Sequence, residues 1–343
     1  MKGITFGALH SYNDLNLILS SKEIGSPEVK ERKIEIEGSD SAIDLTEFFG
    51  EPKYEDVTHK FHFSAIGTQE QLLSLFSTVK NALHGKKMRI ILDDDPLFFY
   101  MGRIKVLPFT NEKNIGKITI EADCEPYKYR MKAKSVNLCG KNLLNIDTVI
   151  SPRPLYWTKT ETGFSFDRGS ATGNGYVYFE IPVIKGRTYT FSAVGTTFTG
   201  GIPSLYVYKD FVSREIIKRS NIPSSVTFVA LETTRYSFAL IANSTTITAN
   251  FTNVMVEEGN AATAFEDYDS TEKTVEETFS NLRKTAIPTV YATGSITVSK
   301  GTTVSTLTNG VNVLPEFAFL QGDTALTFAG NGVAVVEWKE GIL

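Results

Sequence analysis

The sequence predicts a mainly β protein with a single α-helix and a β-sandwich or jelly roll in its middle third. Three observations predict this class. Alternating apolar and polar runs recur along the chain, with the period of a half-buried strand. Only Thr68 to His84 carries an apolar stripe at helical spacing. Fourteen Tyr and 23 Phe against two Trp are the aromatic usage of a β-rich chain.

The N-terminal third supplies the most specific elements. Ile4 to Leu9 and the group Tyr12 to Leu19 predict two short strands, ended by Gly25 and Pro27. Ile34 and Ile36 alternate with Glu35 and Glu37 as a strand does, and Gly38-Ser39-Asp40 breaks the run. A short apolar patch (Leu45, Phe48, Phe49) follows, stopped by Gly50 and Pro52. Phe61, Phe63 and Ala65 then share one face of a second strand. A connection of about 20 residues without regular structure is unusual in a compact domain and points to function or a partner surface. We expect this excursion to pack against another subunit, with Asp44, Leu45, Phe48, Phe49 and Tyr54 at the contact. Thr68 and Gln71 form a capping box, and Leu72, Leu75, Phe76, Val79 and Leu83 form the helix stripe. Met88 to Leu92 and Leu97 to Ile104 are strands around the turn Asp93-Asp94-Asp95-Pro96. Lys117 to Cys124 alternates with Ile118, Ile120, Ala122 and Cys124 inward, until Glu125-Pro126 ends it.

The order of these elements resembles the N-terminal domain of the distal tail protein family (Dit) of long-tailed bacteriophages. The carriers are Asp44-Leu45-Thr46 with Phe48-Phe49-Gly50, and Glu125-Pro126-Tyr127-Lys128-Tyr129. The resemblance covers residues 1–135. It implies a homohexameric ring in the virion, at the tip of the tail. That ring joins the tail tube protein to a hub, lysin or receptor-binding protein below and lets DNA pass without specific binding. A net charge of −4 and the absence of a basic cluster suit an opening that phosphates must leave freely.

From Asn142 the composition shifts to Thr, Ser, Tyr and Phe. Gly175 to Ile184, Arg187 to Val194, Ser204 to Tyr208, Ser225 to Leu231, Arg235 to Ile241 and Thr246 to Val256 predict short strands between turn signals. Asn142-Leu143-Leu144 opens this block. Val256-Glu257-Glu258-Gly259 and Thr263-Ala264-Phe265-Glu266-Asp267-Tyr268 close it. The pattern is similar to the carbohydrate-binding-module-like jelly rolls of phage tail proteins, over residues 137–268. It implies a host cell-wall saccharide as ligand.

Asp269 to Asn281 reads as a linker or short helix. Residues 287–343 return to strands, with Asn309-Gly310 and Asn331-Gly332 as hairpin signals. The ending is similar to the small galectin-like β-sandwich that follows the ring domain in the tail-tip family. Residues 130–142 read as a polar junction, and 130–141 with 275–343 would build that sandwich around an inserted middle domain. Simple tandem order is the alternative.

Enzyme chemistry finds little support. His10, His59, His62 and His84 lie in no nucleophile or zinc motif, and His59 and His62 point to opposite strand faces. Asp93 to Asp95 lacks the spaced ligands of a calcium loop. No phosphate-cradling glycine loop is present. The expectation is a non-enzyme without metal or cofactor. Cys124 and Cys139 read as structural thiols. No apolar run reaches a membrane span, and the N-terminus lacks a signal-peptide layout, so folding in the host cytoplasm is expected. Sugar binding needs aromatic faces beside polar groups. Trp157, Tyr176, Tyr178, Tyr206 and Tyr208 are the candidates, because alternation puts Val177, Phe179 and Ile181 on the opposite, core face. The alternatives are a stand-alone carbohydrate-binding protein and a cell-wall glycosidase.

Overall fold

The computed structural model describes residues 2–48, 50–150, 156–169, 173–243 and 246–343. The chain divides into two compact units. One comprises Met1–Met131, Leu282–Lys284 and Lys339–Leu343; the other comprises Lys132–Asn281 and Thr285–Trp338. The architecture is mainly β with one α-helix, as expected.

In the first unit the chain forms β1 (Ile4–Phe6), β2 (Leu9–His10), β3 (Ile18–Glu23), β4 (Lys33–Ile34), β5 (Ile43–Asp44) and β6 (Val57–Ile66). Helix α1 (Gln69–Leu83) and strands β7 (Lys87–Leu92), β8 (Tyr100–Val106), β9 (Thr110–Glu112) and β10 (Ile115–Cys124) follow. All but β4 and β5 make one sheet in the order β2-β1-β7-β8-β10-β6-β3, with β9 also on β10. Phe61 faces Ile120 and Phe63 faces Ile118 across the β6–β10 ladder. Because side chains alternate along a strand, one face of both strands is buried, and it is apolar but for His59. Leu72, Val79 and Leu83 of α1 enter the same core, with Leu75 and Phe76 partly buried beside them. Burying each such side chain contributes about 1.5–3 kcal/mol. The helix starts where the capping box places it: Gln71 N donates to Thr68 Oγ1 at 3.3 Å and Thr68 N donates to Gln71 Oε1 at 2.9 Å.

Two expectations change here. The strand returning from the acidic turn starts at Tyr100 rather than Leu97, because Phe98 N is still bonded to Asp95 O within the turn. Each aspartate of that turn has its own partner: Asp93 accepts from Gly3 N, Asp94 pairs with Lys22, and Asp95 pairs with Lys128. Ile34 and Ile36 do not line a half-buried strand. Only Lys33–Ile34 is strand, and the two isoleucines are 52% and 47% exposed.

In the second unit β11 (Lys128–Asn137), which enters it from the first, is followed by β12 (Trp157–Lys159), β13 (Phe164–Asp167), β14 (Gly175–Val183) and β15 (Thr188–Gly200). Then come β16 (Ser204–Tyr208), β17 (Ile216–Asn221), β18 (Val226–Val229), β19 (Thr234–Ala242) and β20 (Thr246–Glu258). The last strands are β21 (Lys273–Asn281), β22 (Thr289–Lys300), β23 (Thr303–Leu307), β24 (Gly310–Val313) and β25 (Gly322–Ile342). Two sheets, β12-β13-β20-β15-β18 and β14-β19-β16-β17, are built wholly from the middle strands. Phe164, Phe166, Phe191 and Phe251 of the first meet Val177, Phe179, Leu205, Val207 and Phe238 of the second in one core. The six-stranded third sheet runs β11-β25-β22-β23, with β21 on β25 and β24 on β22. Its core holds Val136, Phe279, Phe319, Phe328, Val336 and Trp338.

Asn142 holds the entry and exit of the middle strands together. Its buried amide donates to Val254 O and Glu266 O and accepts from Leu144 N and Val256 N. Glu257, also buried, accepts from Thr263 N and Thr263 Oγ1. Tyr268 donates to Asn331 Oδ1 at 2.6 Å. The motif residues that opened and closed this block thus brace its ends.

Residues 269–281 are not a linker or helix, since most of them form strand β21. Val275 and Phe279 turn inward while Thr274, Glu276, Thr278 and Ser280 face out, so an edge strand hides behind a polar composition. The polar stretch read as a junction is largely β11. Neither Asn-Gly pair turns a hairpin. Asn309-Gly310 separates β23 from β24, which both pair with β22. Asn331-Gly332 lies inside β25. There Gly332 (φ +143°) and Gly330 (φ +123°) let the backbone approach β22, and a Cβ on Gly332 would stand 2.0 Å from Thr293 O.

Gly332→Ala should therefore destabilise the protein by more than about 2 kcal/mol, read from denaturant unfolding. A second expectation concerns Glu125. Burial alone would raise its carboxyl, but bonds from Lys87, Tyr129 and Lys284 outweigh this and hold it at about 2, below its ordinary 4.5. A lowered carboxylate stabilises the fold above its ordinary value, and that contribution is lost as pH falls from about 4.5 toward 2. Glu125→Gln should be less stable than the parent at neutral pH, and the difference should shrink on acidification through that window in unfolding curves.

Candidate functional site

In the first unit, residues 28–55 form a two-legged arm. The bonds Lys30 N to Lys53 O and Leu45 N to Arg32 O, the bridge Val29–Tyr54 and the β4–β5 ladder zip its legs together. No described residue from 28 to 55 is buried. Ile34, Ile36 and Ile43 are about half exposed and Phe48 is 71% exposed. Backbone bonds thus tie the two legs together, while the arm's isoleucines and Phe48 stay about half or more exposed. Of the residues expected at a subunit contact, Asp44 and Phe48 are exposed and Leu45 is half-buried. Phe49 lies outside the described residues. Tyr54 belongs to the base of the arm: its ring meets Tyr127 edge-on at 6.2 Å and its hydroxyl accepts from Arg283.

In the second unit, the outer face of the four-stranded sheet carries the tyrosines. Register sets them in rows across the strands. Tyr178 on β14 faces Ala239 on β19, which faces Tyr206 on β16, which faces Arg219 on β17. The next row runs Tyr176, Ile241, Ser204, Asn221. Tyr176 stacks on Tyr178 at 5.7 Å and Tyr206 on Tyr208 at 5.6 Å. A groove of about 560 Å³ opens over this face, lined by Asn174, Tyr176, Tyr206, Arg219, Asn221 and Asn243 among others. Its lining contains amides, hydroxyls and a guanidinium but no carboxylate.

Four of the five predicted aromatic residues come together here, though not as equals. Tyr176 and Tyr206 are half-buried and line the groove. Tyr178 is buried, contrary to its expected place on the open face, because Phe211 closes on it edge-on at 5.2 Å and Tyr208 lies 6.1 Å away. Tyr208 is 7% exposed. Burial raises both phenols above their ordinary range, so they stay neutral. Trp157 does not join the face. It sits on β12 of the opposite sheet with its ring 4.9 Å from Phe166 and 5.4 Å from Phe251.

Sequence reasoning missed the arginines. Arg219 donates to Tyr206 Oη at 2.9 Å and its guanidinium carbon lies 5.6 Å from that ring's centre. Arg214 lies 5.7 Å from the centre of Tyr178 and 5.6 Å from that of Phe211. It ends a turn knotted by Asp210, whose carboxylate accepts from Val212 N, Ser213 N and Ser213 Oγ. The segment Ile216–Asn221 alternates poorly, so the strand that carries Arg219 gave no periodic signal.

No protein-family model matches this chain, and no curated protein matches it in sequence. Comparison with solved structures does find matches. One of them is a phage hub protein. It is the crystal structure of the SPP1 Dit (gp 19.1) protein, titled a paradigm of the hub adsorption apparatus in phages that infect Gram-positive bacteria. It is 11% identical, covers 100% of both chains and has a TM-score of 0.38. Among the described residues no helix is long and apolar enough to cross a membrane, and no cluster of ligating side chains could hold a metal.

The tyrosines divide into load and surface. Tyr178→Ala should cost about 3–5 kcal/mol, whereas Tyr206→Ala should cost less than about 1 kcal/mol, both read from thermal unfolding.

Proposed function

We propose that this chain is a structural hub component of a phage tail tip. Copies assemble through the N-terminal arm, and the middle sandwich binds host-surface saccharide in its tyrosine groove. The observation that carries the reading is the arm. Its two legs are tied by backbone bonds, yet its isoleucines and Phe48 stay exposed on a segment without a core of its own. Exposed apolar side chains gathered on one segment mark an interaction surface, and a second copy of the chain is the partner we infer. The sequence resemblance to distal tail proteins supplies the rest: a homohexameric ring, the tail tube protein above, a hub, lysin or receptor-binding protein below, and passage of DNA. The groove supports the saccharide role, because half-buried tyrosine faces stand beside amides and hydroxyls that can bond sugar hydroxyls.

Light scattering with negative-stain imaging tests the hub. The expected result is a ring-shaped oligomer, reduced to monomer by Ile36→Asp with Phe48→Asp at stability unchanged within about 0.5 kcal/mol. A monomer at every concentration overturns it and leaves the stand-alone saccharide-binding reading.

A further inference from the structure

We infer that the tyrosine groove takes an anionic glycan: a polyhydroxylated chain bearing phosphate or carboxylate groups. The inference rests on the saccharide reading of the same groove and adds the charge of the ligand.

The charges around the groove are one-sided. Arg219 stands in its wall, on the strand next to Tyr206. Arg214 stands over Tyr178, whose ring stacks on the groove residue Tyr176. Both arginines are exposed, and neither has a carboxylate within ion-pairing distance among the described residues. Several other cations of this domain have carboxylate partners: Arg187 with Glu258, Lys209 with Glu232, and Arg235 with Glu180. Of the two carboxylates nearest Arg214 in the chain, the adjacent Glu215 makes no ion pair with it and Asp210 is spent on its own turn. One N–H of Arg219 goes to the Tyr206 hydroxyl, which leaves the other donors of its planar fork open.

The aromatic rings hold these guanidiniums in place. A guanidinium resting on a ring is oriented before any ligand arrives, so less side-chain entropy is lost on binding. A planar fork of donors matches two oxygens of a phosphate or carboxylate. Carboxylates, which would repel an anionic ligand, are absent from this groove's lining, whose acceptors are amide and hydroxyl oxygens. The half-buried faces of Tyr176 and Tyr206 suit the C–H surface of a sugar or polyol unit lying between its charged groups. The turn that carries Arg214 also projects Val212, which is 90% exposed, as an apolar lip next to Phe211.

The test uses the full chain and three soluble polymers: poly(glycerol phosphate), polygalacturonate and neutral dextran. Affinity is measured by retardation in native gels and by calorimetry, at about 0.05 M and about 0.5 M salt. The protein is expected to bind at least one of the two anionic polymers roughly tenfold more tightly than dextran, and less tightly at high salt. Whichever binds names the source of the charge. Arg214→Gln with Arg219→Gln should reduce that affinity roughly tenfold without lowering the melting temperature, and should remove the preference over dextran. Dextran bound as tightly as both anionic polymers, with no effect of the double variant, overturns the anionic inference and leaves the saccharide reading standing. Binding to none of the three overturns both. Tyr206→Ala separates the two further: it should weaken binding at high salt as well as low, where the arginines act mainly at low salt.

Discussion

The second unit depends on one buried amide. Asn142 joins four backbone groups from three segments, and each would be costly to leave unpaired away from water. Because those segments are the start and end of the two-sheet sandwich, its chain termini lie side by side. That closeness lets β11, before the sandwich, and β21, after it, both pair with β25 in the third sheet. An interruption of more than a hundred residues then costs the sheet little, since loop entropy grows only slowly with length once the ends are held. Glu257 and Tyr268 reinforce the same junction, and Asn331 accepts from Tyr268 while donating to Asp269 O.

The first unit shows the opposite condition. Its sheet and helix form a complete core around Phe61, Phe63, Ile118 and Ile120, and the arm contributes nothing to it. Backbone bonds between its legs give the arm a shape, but its isoleucines are only half covered by their own chain. A structure so arranged has its stability in one place and its free apolar surface in another.

On the groove face a small residue decides the layout. Ala239 sits between Tyr178 and Tyr206, so the rings on either side are not separated by a bulky neighbour. Phe211 and Arg214 then cover Tyr178, which becomes part of a small second core with Tyr208, Ala239 and Ile241. Alternation told which tyrosines leave the main core. It could not tell that half of them are covered again by a turn contributed from beyond β16.

The class of fold, the one helix with its N-terminal capping box, and the inward residues of β6, β10 and β14 were legible in the sequence. Each follows from local rules, namely side-chain period, capping chemistry and backbone propensity. The strands β17 and β21, the role of both Asn-Gly pairs, the burial of Tyr178 and the place of Trp157 were not. Those outcomes depend on which strand lies alongside and which turn folds over, as when Gly332 serves close approach to Thr293 rather than a hairpin. The amino-acid order by itself determined what each short segment prefers. Only tertiary structure decided which preferences were used, because burial and charge pairing are settled between residues far apart in the chain.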